Sequence, residues 1–491
     1  MEYKWTVLSN TTLGVLMASL DTNIVLIALP TIGHSLPGMN AFNVLWVILG
    51  YQIVIASVLV NFGRLSDLFG RVKLYNIGFA VFTIGSGLCS ISQTADQLIG
   101  FRIIQATGAA FLFSNSAAII TDAFPPNERG KALGINQVSI VVGSVAGLVI
   151  GGILTTTIGW QSIFLVNLPI GIFATTWAHF RLKELSKPSL EHRIDVNGNV
   201  FFALGLIILL LGITLNAVTG LSDELTAIMI VFSLLSFWMF VRAEKKAPNP
   251  MFDLTLFRNR IFDAGNETIF LNALSRGSFV LVMVFYLQGP LMQLSPLDAG
   301  LFLIPMSVSL SIAGPISGSL SDRYGFRSFV ILGLALSAAG FLIMAGIGKT
   351  ITSLQVLFPL MLIGSGMGFF ASPNRSSIMN SVPAHQRGVA SGISTTFVNI
   401  GNTLSIGLAF LFMGATTPRT TLDLIFSGTS SGIRDFSYSD FLTSVHLVFY
   451  MSALMLIISI LIYIWAYRKG ENSGSDVASS ALGNSGFSEK S

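Results

Sequence analysis

Gly63-Arg64-Leu65-Ser66-Asp67-Leu68-Phe69-Gly70-Arg71-Val72-Lys73 lies between two long apolar runs, one ending near Phe62 and one starting near Leu74. Two such runs joined by so short a link read as a hairpin of membrane helices, because lipid offers the backbone no partner outside a helix or closed barrel. The glycines let the chain turn where a Cβ would clash. Arg64, Arg71 and Lys73 against the single Asp67 assign the link to the cytoplasmic face. The pattern returns at Gly318-Ser319-Leu320-Ser321-Asp322-Arg323-Tyr324-Gly325, where Gly63, Asp67 and Gly70 map onto Gly318, Asp322 and Gly325 at one offset of 255. A second echo, Arg129-Gly130 with Gly134 onto Arg387-Gly388 with Gly392, follows at an offset of 258. Two ordered matches at nearly one spacing indicate an internally duplicated membrane protein.

Composition agrees. Hydrophobic residues make up 52% and charged residues 10%, with a mean hydropathy of +0.74; soluble chains carry about a quarter charged residues. The single cysteine, Cys89, rules out a disulfide framework, and the five histidines have no ligand spacing. No metal and no cofactor are expected. Nor is a nucleic-acid partner, since the basic residues follow the loops and report topology instead.

At about 20 apolar residues per helix, fourteen spans fit. They fall near 6–29, 43–62, 73–92, 97–120, 133–156, 161–180, 197–217, 224–242, 265–288, 299–319, 328–348, 353–374, 388–414 and 441–467. With both termini cytoplasmic, only Lys349, Arg419 and Arg434 of the 27 Lys and Arg fall outside, and only Arg102 and Arg276 fall within spans. Six spans with loops need roughly 190 residues, so the offset of 255 leaves room for two inserted helices. The expected division is a first six-helix bundle in 1–181, a linker with the inserted pair and an interfacial segment in 182–260, a second six-helix bundle in 261–468, and a disordered tail in 469–491. Within the linker, the apolar residues of 250–262 suit a short surface helix, with a solvated linker as the alternative.

Gly63-x-x-x-Asp67-x-x-Gly70-Arg71 resembles the signature loop of the major facilitator superfamily of secondary transporters, and the resemblance covers about 20–467. Leu20-Asp21-Thr22-Asn23-Ile24-Val25-Leu26-Ile27-Ala28-Leu29-Pro30 is similar to the first-span motif of its fourteen-span drug:proton antiporter group (the EmrB/QacA type), with Asn23 in place of Thr and Leu26 in place of Asn. The resemblance implies an all-α integral membrane protein: two six-helix bundles related by a pseudo-two-fold axis, plus two extra transmembrane helices. It also implies that Asp67 and Arg71 make contacts between bundles that stabilise an outward-open state. Gly63, Gly70, Asp322 and Gly325 belong to the same gating element. Leu68 stands where a basic residue is usual.

The candidate functional residues are the polar groups held at membrane depth. Asp21 lies within the first span, where a carboxylate costs several kcal/mol unless protonated, paired or in water. It reads as a proton-coupling group, or as a structural Asp bonding neighbouring helices; the resemblance ties it to proton coupling or cation recognition. Arg102 must find an acceptor or snorkel outward. Asp21 is a possible partner, and the resemblance links this Arg to proton transfer. Gln105 and Asn23 are nearby polar candidates. Arg276, in the middle of the ninth span, could bind an anionic substrate group or act as counter-charge to Asp21, and Glu267 lies nine residues earlier. Gly143, Gly147, Gly151 and Gly152 form a small-residue face that packing alone would explain. The run resembles the fifth-span motif tied to antiport, with Leu148 where Pro is usual.

The leading expectation is a proton-coupled exporter of hydrophobic or amphipathic small molecules, working as a monomer in the cell membrane. The rivals are a symporter or exporter for one solute and a non-transporting sensor. No carbonyl-filter repeat, nucleotide-binding loop or nucleophile–base pair points to a channel or an enzyme.

Overall fold

The computed structural model describes residues 2–125, 128–185, 195–247, 255–289, 292–348, 353–383, 386–426 and 438–484. Fourteen helices are long and apolar enough to cross a membrane: Tyr3–Ser35, Ala41–Phe69, Arg71–Ser90, Ala95–Ala123, Arg129–Thr157, Ser162–Arg181, Val196–Thr219, Asp223–Glu244, Arg260–Gln288, Pro296–Tyr324, Phe326–Met344, Gln355–Asn380, Val389–Thr416 and Ser439–Tyr467. They are called spans one to fourteen. Each matches a span expected from the apolar runs. Several starts carry the side-chain caps that free helix N–H groups need: Asn40 accepts from Asn43, Thr94 from Gln97, and Asp195 from Gly198.

The link between spans two and three is tighter than the sequence suggested. Span two continues through Phe69 and span three begins at Arg71, so Gly70 alone makes the turn, at a φ of 104°. Polar residues such as Ser66, Asp67 and Arg71 end an apolar run without ending a helix, because at the membrane edge they find partners. Gly325 repeats the turn between spans ten and eleven with a φ of 87°.

Two bundles have the same internal plan. Span one packs on spans five, four and six, and spans two and three pack on span four; spans nine to fourteen repeat this pairing in order. Glycines make the repeat concrete. A side chain added at Gly78 would strike Gly108, and one at Gly333 would strike Gly366; Gly85 lies against Gln105 as Gly340 lies against Ile363.

Span seven fits between span two of one bundle and span thirteen of the other. Trp46 Nε1 donates to Thr214 Oγ1 at 3.2 Å, and Asn199 donates to the Ser57 carbonyl. Span eight packs mainly on span seven, through Ser233 and Ser236 donating to the carbonyls of Gly205 and Phe201. Its remaining surface is apolar and exposed, including Val231, Phe232, Leu234 and Trp238.

The bundles meet at the ends far from the signature loops. Gln288 Nε2 donates to the Ile27 carbonyl at 2.8 Å, Gly152 abuts Leu297, and Gly300 abuts the Leu148 carbonyl. At the opposite, Lys/Arg-rich ends, a side chain added at Gly63, Gly130, Gly134, Gly314, Gly325 or Gly392 would meet nothing within 4 Å. The two bundles are closed against each other on one side and open on the basic side.

Two segments differ from expectation or escape it. The last helix runs on to Asn484, past the point where a Ser- and Gly-rich tail was expected to be disordered; a helix already nucleated propagates cheaply into the residues that follow. Of the surface helix expected in 250–262, residues 250–254 lie outside the described residues, and the rest forms one 3-10 turn, Leu256–Arg258, before span nine starts at Arg260.

Candidate functional site

Asp21 projects from span one into the interior of the first bundle, with no exposed surface. Three side chains from two spans converge on its carboxylate. From span four, Arg102 Nη1 donates to Oδ2 at 2.5 Å and Gln105 Nε2 donates to Oδ1 at 2.8 Å. From span six, Asn167 Nδ2 donates to Oδ1 at 2.8 Å. Ser86 of span three accepts from both Gln105 and Asn167, at 3.1 and 3.0 Å, and donates to the Phe164 carbonyl. Arg102 also donates to Gln105 Oε1 at 2.7 Å, and its guanidinium lies 4.0 Å over the Tyr51 ring.

Arg102 retains 2% of its exposed surface, so it does not snorkel. Nearly the whole side chain is given to Asp21, Gln105 and the Tyr51 face. A buried ion pair survives only where further hydrogen bonds satisfy both partners, and here the carboxylate receives three. The cluster can therefore hold a charge pair at membrane depth, and protonating Asp21 would leave Arg102 without its counter-ion.

The other polar candidates lie apart from this cluster. Asn23 turns back to its own helix, donating to the Ser19 carbonyl at 3.3 Å, and sits beside Gly147. Glu267 is exposed in the basic-side half of span nine. Arg276 is half-buried in the second bundle and makes no ion pair with Asp21, whose partner is Arg102. The reading of Arg276 as the counter-charge of Asp21 is thereby corrected.

The fifth-span glycines serve two contacts. A Cβ at Gly143 would lie 2.6 Å from the Leu16 carbonyl oxygen, and one at Gly147 2.5 Å from that of Leu20. Gly151 meets Ile24 and Ile27. These three bring span five against the helix that carries Asp21. Gly152 instead faces the second bundle at Leu297.

In the signature element, Arg71 donates to Asp67 at 2.8 Å and to Asp122 of span four at 2.9 Å. Glu184, just beyond span six, accepts from the backbone N–H of Arg71 and Val72 at 3.0 and 2.9 Å, capping span three. With the basic side open, these bonds stay within the first bundle. Arg64 lies within electrostatic reach of Glu244 and Asp195 on the inserted pair, and the Glu244 side chain is buried. The second copy is plainer: Asp322 is exposed and bonds to no described residue, and Phe326 stands where Arg71 stands in the first.

Asn167, Ser86, Tyr51, Asp122, Glu184 and Glu244 were not singled out as site residues. Asn167 was visible as a polar residue inside a span, with helix bonding the expected role. The others carry no local pattern that separates them from ordinary span or linker residues.

The sequence description of the Major Facilitator Superfamily matches residues 11–406 and 268–489. The chain is 35% identical over 413 residues to riboflavin transporter RibZ of Clostridioides difficile, covering 84% of this chain and 88% of that one. It is 30% identical over 402 residues to multidrug resistance protein 3 of Bacillus subtilis, covering 80% and 76%. Multidrug resistance protein Stp of Mycobacterium tuberculosis is 32% identical over 402 residues, covering 82% and 74%. Among solved structures, a bacterial homologue of the human lysosomal transporter Spinster superposes with a TM-score of 0.67 at 15% identity, covering 95% of this chain and 97% of that one.

Proposed function

Because the chain belongs to the Major Facilitator Superfamily, we propose that this transporter is a proton-coupled antiporter that exports hydrophobic or amphipathic compounds by alternating access. The observation that carries the reading is the sealed Asp21–Arg102 pair. A titratable carboxylate at membrane depth, tied to three other spans, can convert proton binding into a change of helix packing. When a proton neutralises Asp21, Arg102 loses its counter-charge and the four-span cluster must rearrange. Loss of the proton restores the pair. The relatives named for multidrug resistance support export of varied compounds. The riboflavin transporter relative supports a second reading, coupled movement of one defined solute.

In this scheme the bundles within 1–181 and 261–468 rock about the midplane while the inserted pair rides on the flank, and a monomer suffices. Transport into proteoliposomes of a hydrophobic dye, with and without an imposed pH gradient, tests it: the gradient should accelerate flux in the antiport sense. Gradient-independent flux, or flux running with the proton, would remove the antiport reading.

Orientation is tested separately. Ser35 and Lys245 are exposed at opposite ends of the bundles, and the Lys/Arg bias puts both chain termini in the cytoplasm. Ser35→Cys should react with an impermeant maleimide added outside intact cells, and Lys245→Cys only after permeabilisation. Cys89 is buried and gives no background. Reversed labelling would invert the topology.

A further inference from the structure

The offset that relates Asp67 to Asp322 also relates Asp21 to Arg276. Span four relates to span twelve at 258, as Gly108 and Gly366 do in their matching helix crossings. Ser86, Arg102 and Gln105 then correspond to Phe341, Leu360 and Ile363, all buried and apolar. The first bundle carries a complete ion pair with its supporting bonds. The second carries a charge at the position of Asp21 and apolar residues at the three positions that answer to Ser86, Arg102 and Gln105.

Nothing else on the chain fills that role among the described residues. Arg276 forms no hydrogen bond and no ion pair with any of them. No carboxylate among the described residues pairs with it. Glu267, nine residues earlier on a continuous helix, points half a turn away and lies about 13 Å along the axis. Arg276 nevertheless keeps accessible surface in a span whose core window is 72% buried inside the protein, with Asn272 and Phe279 buried on its own face. Its neighbours on that face are covered by protein.

One further feature adjoins Arg276 along the chain. Span nine breaks at Gly277 and Ser278, where Ser405 Oγ accepts from the Ser278 N–H at 2.9 Å, and a second helical segment, Phe279–Gln288, starts there. Its N-terminal end carries partial positive charge.

We propose that Arg276 receives an anionic group of the transported compound, so that the protein takes flat amphipathic organic anions, carrying a carboxylate or sulfonate, and discriminates against cations. Asp21 is closed to a cationic substrate because Arg102, Gln105 and Asn167 already occupy it. The proposal rests on the exporter reading and adds the charge of the cargo.

Fluorescein and rhodamine 123 share a xanthene ring system and differ in charge, which makes them suitable probes. Binding of each to the purified full-length protein is measured by equilibrium dialysis in phosphatidylcholine nanodiscs, in chloride-free gluconate buffer at neutral pH and with no gradient. Wild type should bind fluorescein saturably and more tightly than rhodamine 123. Arg276→Gln should weaken fluorescein by about tenfold or more, as loss of a charge-assisted contact does, and Arg276→Lys should stay within about threefold if charge is what matters. No saturable fluorescein binding, tighter binding of rhodamine 123, or equal fluorescein affinity in wild type and Arg276→Gln would each overturn the proposal. The comparison of dyes on wild type decides the matter even where Arg276→Gln fails to fold. Because no gradient is applied, failure of proton coupling would leave this binding result standing, and the reverse also holds.

Discussion

Asp21→Asn should abolish pH-gradient-driven flux and also destabilise the protein, by about 3–5 kcal/mol, because removing one partner of a buried pair strands the other charge. The stability loss alone would not distinguish a coupling residue from a structural one. A second variant does. Asp21→Asn combined with Arg102→Gln removes both charges, leaves amides that can still bond to Gln105, Asn167 and Ser86, and should recover most of the thermal stability. If Asp21 carries the proton, the double variant remains without gradient-driven flux although it is well folded, while downhill movement of a neutral dye persists. Thermal unfolding in detergent and flux in proteoliposomes, measured on the same preparations, give both readouts. A stable double variant whose flux still responds to the gradient as wild type does would return Asp21 to a scaffold role.

Gly152→Val should jam the closed side of the protein. An added Cβ there would lie 2.7 Å from Leu297 Cα and 2.9 Å from the Pro296 carbonyl oxygen, across the seam between bundles. Both are backbone atoms and cannot swing aside as a side-chain tip would. Overpacking of this kind costs about 1–3 kcal/mol, and it is felt only in the state that closes this seam. A shift of that size changes the balance of two states by roughly five- to 150-fold, so turnover should fall by about tenfold or more. Gln288, which crosses the same seam to Ile27, reports on it. Gln288→Cys should react faster with an impermeant maleimide in the Gly152→Val background than alone. Gly100→Ala, at a position with open space around it, is the control and should change neither quantity. Unchanged labelling and turnover in Gly152→Val would mean that the seam is not a moving contact.

Much of this architecture is written in one dimension, because the bilayer imposes a length on each apolar run and the duplication imposes a spacing. The fourteen spans and the paired Gly70 and Gly325 turns follow from those two constraints. So does the candidacy of Asp21 and Arg102, since any charge at that depth needs a reason. The rest depends on contacts between residues far apart in sequence. Asn167 reaches Asp21 across 146 positions and Glu184 reaches Arg71 across 113. Nothing local in either segment announces the partner. The end of span two was misplaced because hydropathy reports the membrane edge, whereas the helix continues until Gly70 turns it. Arg276 shows a different limit. The offset linking it to Asp21 could be read from the sequence, but its lack of a partner could not, since that depends on Leu360 and Ile363 packing where Arg102 and Gln105 would otherwise be.

The position of the inserted pair makes the two sides of the transporter unequal toward the lipid. Span seven lies over the junction of spans two and thirteen, with span eight outside it, whereas no described helix lies over the junction of spans five and ten. A compound dissolved in the bilayer therefore meets a double wall on one flank and a single seam on the other. Of these two junctions, the seam of spans five and ten is the one that no described helix covers. There, Gly152 and Gly300 leave the two backbones nearly touching at the closed end, whereas a side chain added at Gly134 or Gly314, nearer the basic side, would meet nothing within 4 Å.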